Sequence, residues 1–327
     1  MRAVVYAGAG GNEVVSVAVR EDPAVVGEHV LVRVRYAGIN PADLQQRNGN
    51  YPPPPGAPTD VPGLEVAGEV VSVGEHVLDL RPGDRVMGLI AGGGLADRVV
   101  VHERCVVKVP DRIDELHAGA TPEGFITAHD AIRTQAALTS GEVIVVNGAT
   151  GGVGTAAVQI ALTCGATVVG VTRSEQGREL LASLGALPVS TDEVSAAVAE
   201  VSGGRGADVI LELVGAGNLA RNFEILASKG RIAIVGVGAG NTTEIDLRKL
   251  MARRARLFGT VLRARPLEEK ALAVRAFERE VLPHLVTGRI APVVDRSFPA
   301  DRVHDAFDHM EHQAKRGKVL LDFHPEA

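Results

Sequence analysis

The chain has 327 residues, is 46% hydrophobic and 23% charged, and carries a formal net charge of −6. That length holds two domains with separate cores, and the acidic balance gives no basic field for nucleic acid or anionic lipid. No run of about 18 uncharged apolar residues marks a membrane span. The two cysteines, Cys105 and Cys164, fit a reducing cytoplasm and exclude a disulfide scaffold. Aromatic content of 3% without tryptophan leaves the cores to Val, Ala, Leu and Ile.

The N-terminus, Met1-Arg2-Ala3-Val4-Val5-Tyr6, reads as a strand and not as a signal peptide. Short strand-like runs broken by Gly and Pro follow, giving 2–6, 14–19, 29–37, 66–74, 84–89 and 96–109. Pro82-Gly83-Asp84 turns the chain into Arg85-Val86-Met87-Gly88. This spacing predicts a compact, partly closed antiparallel β domain. From 121 to 262 the pattern becomes alternating strand and helix, the signature of a doubly wound parallel sheet. Its strands are expected at 143–146, 166–172, 208–212 and 230–236, and amphipathic helices at 176–184 and 219–228. Residues 267–286 read as one long amphipathic helix, and 317–323 as a last strand.

The stretch Asn147-Gly148-Ala149-Thr150-Gly151-Gly152-Val153-Gly154 lies between the first of those strands and a helix. Strand, glycine turn and helix is the arrangement that holds a dinucleotide pyrophosphate, because N–H groups at a helix start face the anion. On the G-x-G-x-x-G frame the three slots are Ala149, Gly151 and Gly154, so the first glycine is replaced. The second strand ends Val171-Thr172-Arg173-Ser174, without the carboxylate that binds ribose hydroxyls in NAD enzymes. Thr172, Arg173 and Ser174, with Arg178, would instead hold a 2′-phosphate, and the cofactor expected is NADPH. The plainer reading of Arg173 is a solvent-facing loop residue.

Four runs occur in the order found in medium-chain dehydrogenase/reductases. They are Gly38-Ile39-Asn40-Pro41-Ala42-Asp43, Pro62-Gly63-Leu64-Glu65-Val66-Ala67-Gly68, Pro82-Gly83-Asp84-Arg85-Val86 and Ala149-Thr150-Gly151-Gly152-Val153-Gly154. The chain resembles their zinc-free quinone oxidoreductase branch, the zeta-crystallin-like enzymes. Through Gln45–Gly56 it looks most like the tumour-suppressor-inducible type. The resemblance implies a GroES-like catalytic domain at 1–120 and 263–327 around a Rossmann domain at 121–262. Zinc members carry Cys where this chain has Asn40 and His where it has Leu64, and Thr121-Pro122-Glu123-Gly124 offers no Cys for a third ligand. No metal is expected. The remaining candidate cluster, His304, Asp305, Asp308, His309 and His312, reads as the solvated side of a helix that buries Val303, Ala306, Phe307 and Met310.

Without a metal or strong base to stabilise an alkoxide, hydride should pass to an acceptor that carries its own activation, a quinone or an α,β-unsaturated carbonyl. By resemblance Asn40, Asp43 and Thr127 line the nicotinamide side. Val214, Gly215, Gly236, Val237 and Gly238 pass beside the nicotinamide and its ribose, and Leu262-Arg263 closes over the cofactor. Thr127 reads equally as an N-terminal helix residue bonded to backbone. Tyr51, on a loop stiffened by Pro52–Pro55, and Asn40 are the best donors to the developing oxyanion. Some relatives hold the phosphate with a Lys at the position of Gly177 and a Tyr near Asp192, and both are missing here. A homodimer is implied, through edge strands near 256–261. An enoyl reductase on thioester-linked chains and a non-catalytic NADPH-binding protein are the rival functions.

Overall fold

The computed structural model describes residues 1–311 and 316–324, so His312 of the candidate cluster lies outside the described residues. The chain divides into two compact units, residues 1–126 with 262–327 and residues 127–261. The change of sequence pattern puts those junctions at 120/121 and 262/263.

In the first unit, β1 (Arg2–Tyr6) and β2 (Val15–Val19) form an antiparallel pair. A seven-stranded sheet is built on β3 (His29–Ile39). One side of β3 pairs with β4 (Glu65–Val73), which pairs with β5 (Arg85–Leu89). Its other side is shared. Residues 29–33 meet β6 (Arg98–His102) and residues 36–39 meet the last strand of the chain, while β7 (Val106–Lys108) lies at the far side of the sheet on β5. Register shifts after Leu31 and after Val34 bend β3 between these partners, as bulges do in curved sheets. The single run expected at 96–109 is thus two strands, parted by the short helix Glu103–Cys105.

The second unit is a six-stranded, all-parallel sheet in the order β10-β9-β8-β11-β12-β13. Its strands are β8 (Val143–Asn147), β9 (Thr167–Val171), β10 (Leu187–Val189), β11 (Ala207–Glu212), β12 (Leu226–Ile234) and β13 (Arg256–Gly259). Helices Gly152–Thr163, Glu175–Ser183, Val194–Val201, Leu219–Ile225 and Leu247–Arg253 connect them. Val143 to Val146 are all buried, as central parallel strands require. The strand order reverses where β8 lies between β9 and β11, the switch point at which such sheets bind ligands. The helix expected at 219–228 stops at Ile225, because Leu226 and Ala227 are buried in β12.

The chain then returns to the first unit. The expected helix at 267–286 is two, Leu267–Glu280 and Leu282–Val286. Pro283 has no N–H to continue the first and sits at the start of the second, where none is needed. β14 (Val294–Pro299) and β15 (Lys318–Asp322) complete the sheet, β15 pairing antiparallel with residues 36–39 of β3. The helix Val303–Glu311 between them buries Val303, Ala306, Phe307 and Met310, the face its periodicity predicts.

Candidate functional site

In the second unit β8 ends at Asn147 and the chain turns at Gly148, whose φ of +77° is left-handed. Gly151 caps the helix that starts at Gly152. A Cβ on Gly154 would lie 2.3 Å from the Gly148 carbonyl oxygen, so no side chain fits there. Ala149 is accommodated because β9 offers Gly170 opposite it, where a Cβ would lie 3.3 Å from the Ala149 methyl. Gly151, Gly152 and Val153 stay partly exposed over the first turn of a 12-residue helix. N–H groups of that turn have no intrahelical acceptor, and this side-chain-poor approach fits a pyrophosphate.

At the end of β9, Thr172 is buried and Ser174 caps the helix Glu175–Ser183, accepting from the Gly177 N–H at 3.1 Å. A Cβ on Gly177 would lie 2.2 Å from Thr172 Oγ1, which accounts for the missing lysine of some relatives. Arg178 is committed elsewhere: it pairs with Glu193 and donates to the Pro188 carbonyl at 3.3 Å. Arg173 is exposed and has no partner among the described residues.

Val214 and Gly215 follow β11, and Gly236, Val237 and Gly238 follow β12. These loops interlock, since Ala239 N–H donates to the Val214 carbonyl and Ala216 N–H to the Gly240 carbonyl, both at 2.9 Å. Thr127 is buried in the helix Pro122–His129, beyond its first turn and so beyond the N-cap position.

In the first unit Asn40 caps the helix Pro41–Arg47 through a capping box with Asp43. Asp43 is fully buried and accepts from the N–H groups of Asn40 at 2.8 Å and Gly63 at 2.9 Å. Burial pushes its carboxyl up to about 6, against the pull of those two N–H groups and of the Arg263 and Lys318 charges. The antiparallel pairing of Val319 with Ile39 sets Lys318 beside Asn40. There the Lys318 ammonium pairs with Glu65 and donates to Asn40 Oδ1 at 2.6 Å. Asn40 Nδ2 donates to Glu65 Oε1 at 3.0 Å and to the Gly38 carbonyl at 3.2 Å. Glu65 Oε2 accepts from the Glu123 N–H at 2.9 Å, at the start of the helix Pro122–His129. Both amide hydrogens of Asn40 are therefore used within the protein.

Tyr51 is half-buried, with the Arg263 guanidinium 5.0 Å from its ring centroid. Arg263 also donates to the carbonyls of Ala91 at 2.8 Å and Tyr51 at 3.3 Å and to Gln46, while Leu262 beside it is buried. The Tyr51 hydroxyl has no hydrogen-bond partner among the described residues, and burial raises its pKa, so it stays protonated through neutral pH. The structure thus brings Asn40 and Asp43 together, and Tyr51 with Arg263. Glu65, Lys318 and Glu212 were not singled out from sequence. The one signal each gave was a charge set against an apolar run. Among the described residues no group of three or more His, Cys, Asp or Glu is placed to hold a metal.

Two family models match the chain, an alcohol dehydrogenase GroES-like domain over residues 27–111 and a zinc-binding dehydrogenase over 152–279. It is 32% identical to a quinone oxidoreductase of Lama guanicoe, the match covering 98% of this chain and 97% of that protein. An Escherichia coli quinone oxidoreductase solved in complex with NADPH superposes with a TM-score of 0.87 at 25% identity, covering 98% of this chain and 100% of that one. An NAD-dependent alcohol dehydrogenase superposes equally well, with a TM-score of 0.87 at 26% identity over 99% and 100% of the two chains.

Two stability measurements follow from this geometry. Lys318→Met leaves the Glu65 charge buried and unpaired, and should cost about 3–5 kcal/mol in chemical denaturation. Adding Glu65→Met should return much of that, and a double variant no more stable than the single one would contradict the pairing. Asp43 binds its proton more tightly folded than unfolded, because its folded value of about 6 exceeds the ordinary 3.8. Its contribution is fully present below about pH 3.8 and is lost as pH rises through about 6, a span worth about 3 kcal/mol. Asp43→Asn removes that titration, so variant-minus-parent melting temperature should rise from pH 4 to pH 7, and a flat difference would refute the shift.

Proposed function

The chain belongs to the quinone oxidoreductase family of medium-chain dehydrogenase/reductases, and on that premise we propose that it reduces quinones and α,β-unsaturated carbonyls with NADPH. The observation that carries the cofactor choice is Arg173, an uncommitted exposed cation beside Ser174 at the end of β9, with no carboxylate at positions 172–174 to repel a phosphate. NADPH, when bound, supplies a hydride with both electrons and leaves as NADP⁺, while a quinone taking that hydride and one solvent proton becomes the hydroquinone.

The residues of the chain bind, orient and stabilise. First-turn N–H groups at Gly152, Val153 and Gly154 face the pyrophosphate, and Thr172, Arg173 and Ser174 face the adenosine phosphate. The segments Val214–Gly215 and Gly236–Gly238, with Thr127, form the nicotinamide end. In the first unit Asn40 and Asp43 hold the start of the helix Pro41–Arg47, with Asn40 fully engaged. Tyr51 retains a free O–H, and we assign it to the oxygen on which charge develops, with Arg263 holding its ring. Solvent protonates the product oxygen afterward.

Among the described residues no helix is long and apolar enough to cross a membrane. We assign the chain to the cytoplasm on its low cysteine content, Cys105 and Cys164 alone. We also propose a homodimer through β13, the outer strand of the six-stranded sheet, flanked by exposed Leu247, Met251 and Val261.

Four measurements test these readings. NADPH absorbance followed with benzoquinone, naphthoquinone, phenanthrenequinone and 2-enals should show turnover, whereas tight NADPH binding without turnover across the panel would refute the enzyme reading. Within it, Tyr51→Phe should slow single-turnover hydride transfer about 10- to 100-fold, and Arg173→Ala should raise KM for NADPH much more than for NADH. Light scattering should give twice the chain mass, falling to the single chain in Val261→Asp.

A further inference from the structure

Glu212 ends β11 at the switch point of the parallel sheet, paired in register with Asn147 at the end of β8. Its side chain is 1% exposed, and no cation touches it. Five N–H groups meet it instead. Oε1 accepts from the backbone N–H groups of Val214 at 2.8 Å and Gly215 at 2.9 Å and from Asn218 Nδ2 at 3.2 Å. Oε2 accepts from Asn147 Nδ2 at 2.7 Å and Asn222 Nδ2 at 2.8 Å.

The orientation of every amide in this network is forced. Arg221 donates to Asn147 Oδ1 at 3.2 Å and to Asn218 Oδ1 at 3.0 Å, so both must turn their NH₂ groups toward Glu212. Asn147 Nδ2 also donates to Asn222 Oδ1 at 3.0 Å, which turns the Asn222 NH₂ inward as well. A carboxylate, with acceptors on both oxygens, is the one side-chain end of this size that satisfies all five. The backbone of Glu212 continues the link, its carbonyl accepting from Val235 at 3.0 Å and Gly236 at 3.2 Å.

We propose that Glu212 is a positioning residue that locks three segments into one preformed dinucleotide surface: the residue before the glycine turn, the loop Val214–Asn218 and the loop after β12. The proposal rests on the cofactor reading above and deepens it. The carboxylate is fully used by the protein, so it acts on the dinucleotide through the backbone it holds. Gly148, the first residue of the glycine turn, packs on the same loop: a Cβ there would lie 3.2 Å from Val214 Cγ2 and 3.3 Å from Leu213 Cβ. Displacing the loop therefore displaces the turn.

The test is Glu212→Gln, which keeps the shape and presents an NH₂ to groups that are themselves donors. Amide exchange of Val214 and Gly215, read by NMR without cofactor, should accelerate at least about 100-fold while β8 and β12 stay protected. The dissociation constant for NADPH, read by its fluorescence, should rise at least about tenfold, and KM for the quinone at saturating NADPH should not move. Asn218→Ala, which removes one donor at the rim and leaves the charge in place, should change exchange and NADPH affinity in the same direction by about threefold. It decides the matter if Glu212→Gln does not fold. Unchanged amide exchange in the folded variants, or faster exchange with unchanged NADPH affinity, would overturn the proposal. An unsubstituted chain that binds no NADPH would overturn the cofactor reading instead, and the amide arm would still report whether Glu212 holds the loop.

Discussion

Taking a carboxylate and an ammonium out of water together costs several kcal/mol per ion, recovered only by close pairing and by filling every remaining lone pair and proton. Glu65 and Lys318 are both almost wholly buried, so the first unit has to meet that condition. It does so by converging four pieces of chain on one point: β4 through Glu65, β15 through Lys318, the end of β3 through Asn40, and the helix at 122 through the Glu123 N–H. The closeness leaves no room for a side chain at position 38, where a Cβ would lie 2.1 Å from Glu65 Oε1. The glycine of the Gly38-Ile39-Asn40 run is thus a consequence of the ion pair.

The second unit solves the same problem without a contacting cation. Glu212 is satisfied by five N–H groups, and the Arg221 guanidinium reaches it only through the oxygens of Asn147 and Asn218. The two solutions leave different amounts of chemistry over. Around Glu65 the network uses both hydrogens of Asn40 and its oxygen, so Asn40 has no donor left for a substrate. In the first unit the Tyr51 hydroxyl keeps a hydrogen that no described residue accepts, and burial raises its pKa. A neutral donor, the role we propose for Tyr51, suits an acceptor whose product oxygen is a phenolate or enolate, because such an anion is already delocalised.

The parts of the fold that sequence made legible are those set by periodicity. Alternating short runs gave β1 to β5, and the switch to strand–helix alternation gave the parallel sheet, because buried faces repeat every two or every 3.6 residues. β14 escaped, since Val294–Pro299 buries only Phe298 and presents no apolar face. Pro283 marks the break between the two helices, but the apolar periodicity of 267–286 runs through it and masks it. The glycine turn was readable too, but the reason for Ala149 was not: its methyl needs Gly170 on the neighbouring strand, a pairing fixed by the register of β8 with β9. Lys318 and Glu65 were illegible for the same reason. Each looks like a charge at the end of an apolar strand, and only the pairing of β15 with β3 makes them partners 253 residues apart.

The adenosine end shows how one steric choice constrains an electrostatic one. Gly177 is pressed against Thr172 Oγ1, so the helix Glu175–Ser183 cannot offer a lysine there. Arg178, one residue on, is held by Glu193, whose carboxyl is kept near 2 by the Ser190 N–H and by Arg178 itself. That glutamate is therefore anionic throughout the neutral range and does not release the arginine on titration. What remains is Arg173, exposed and unpaired among the described residues, beside the Ser174 hydroxyl, which accepts from Gly177 N–H and still has its own hydrogen to give. A ribose with two hydroxyls asks for an acceptor at this place, and a 2′-phosphate asks for donors and positive charge. Thr172, Arg173 and Ser174 offer a cation and hydroxyls and no carboxylate, which argues for the phosphorylated cofactor on chemistry local to the second unit.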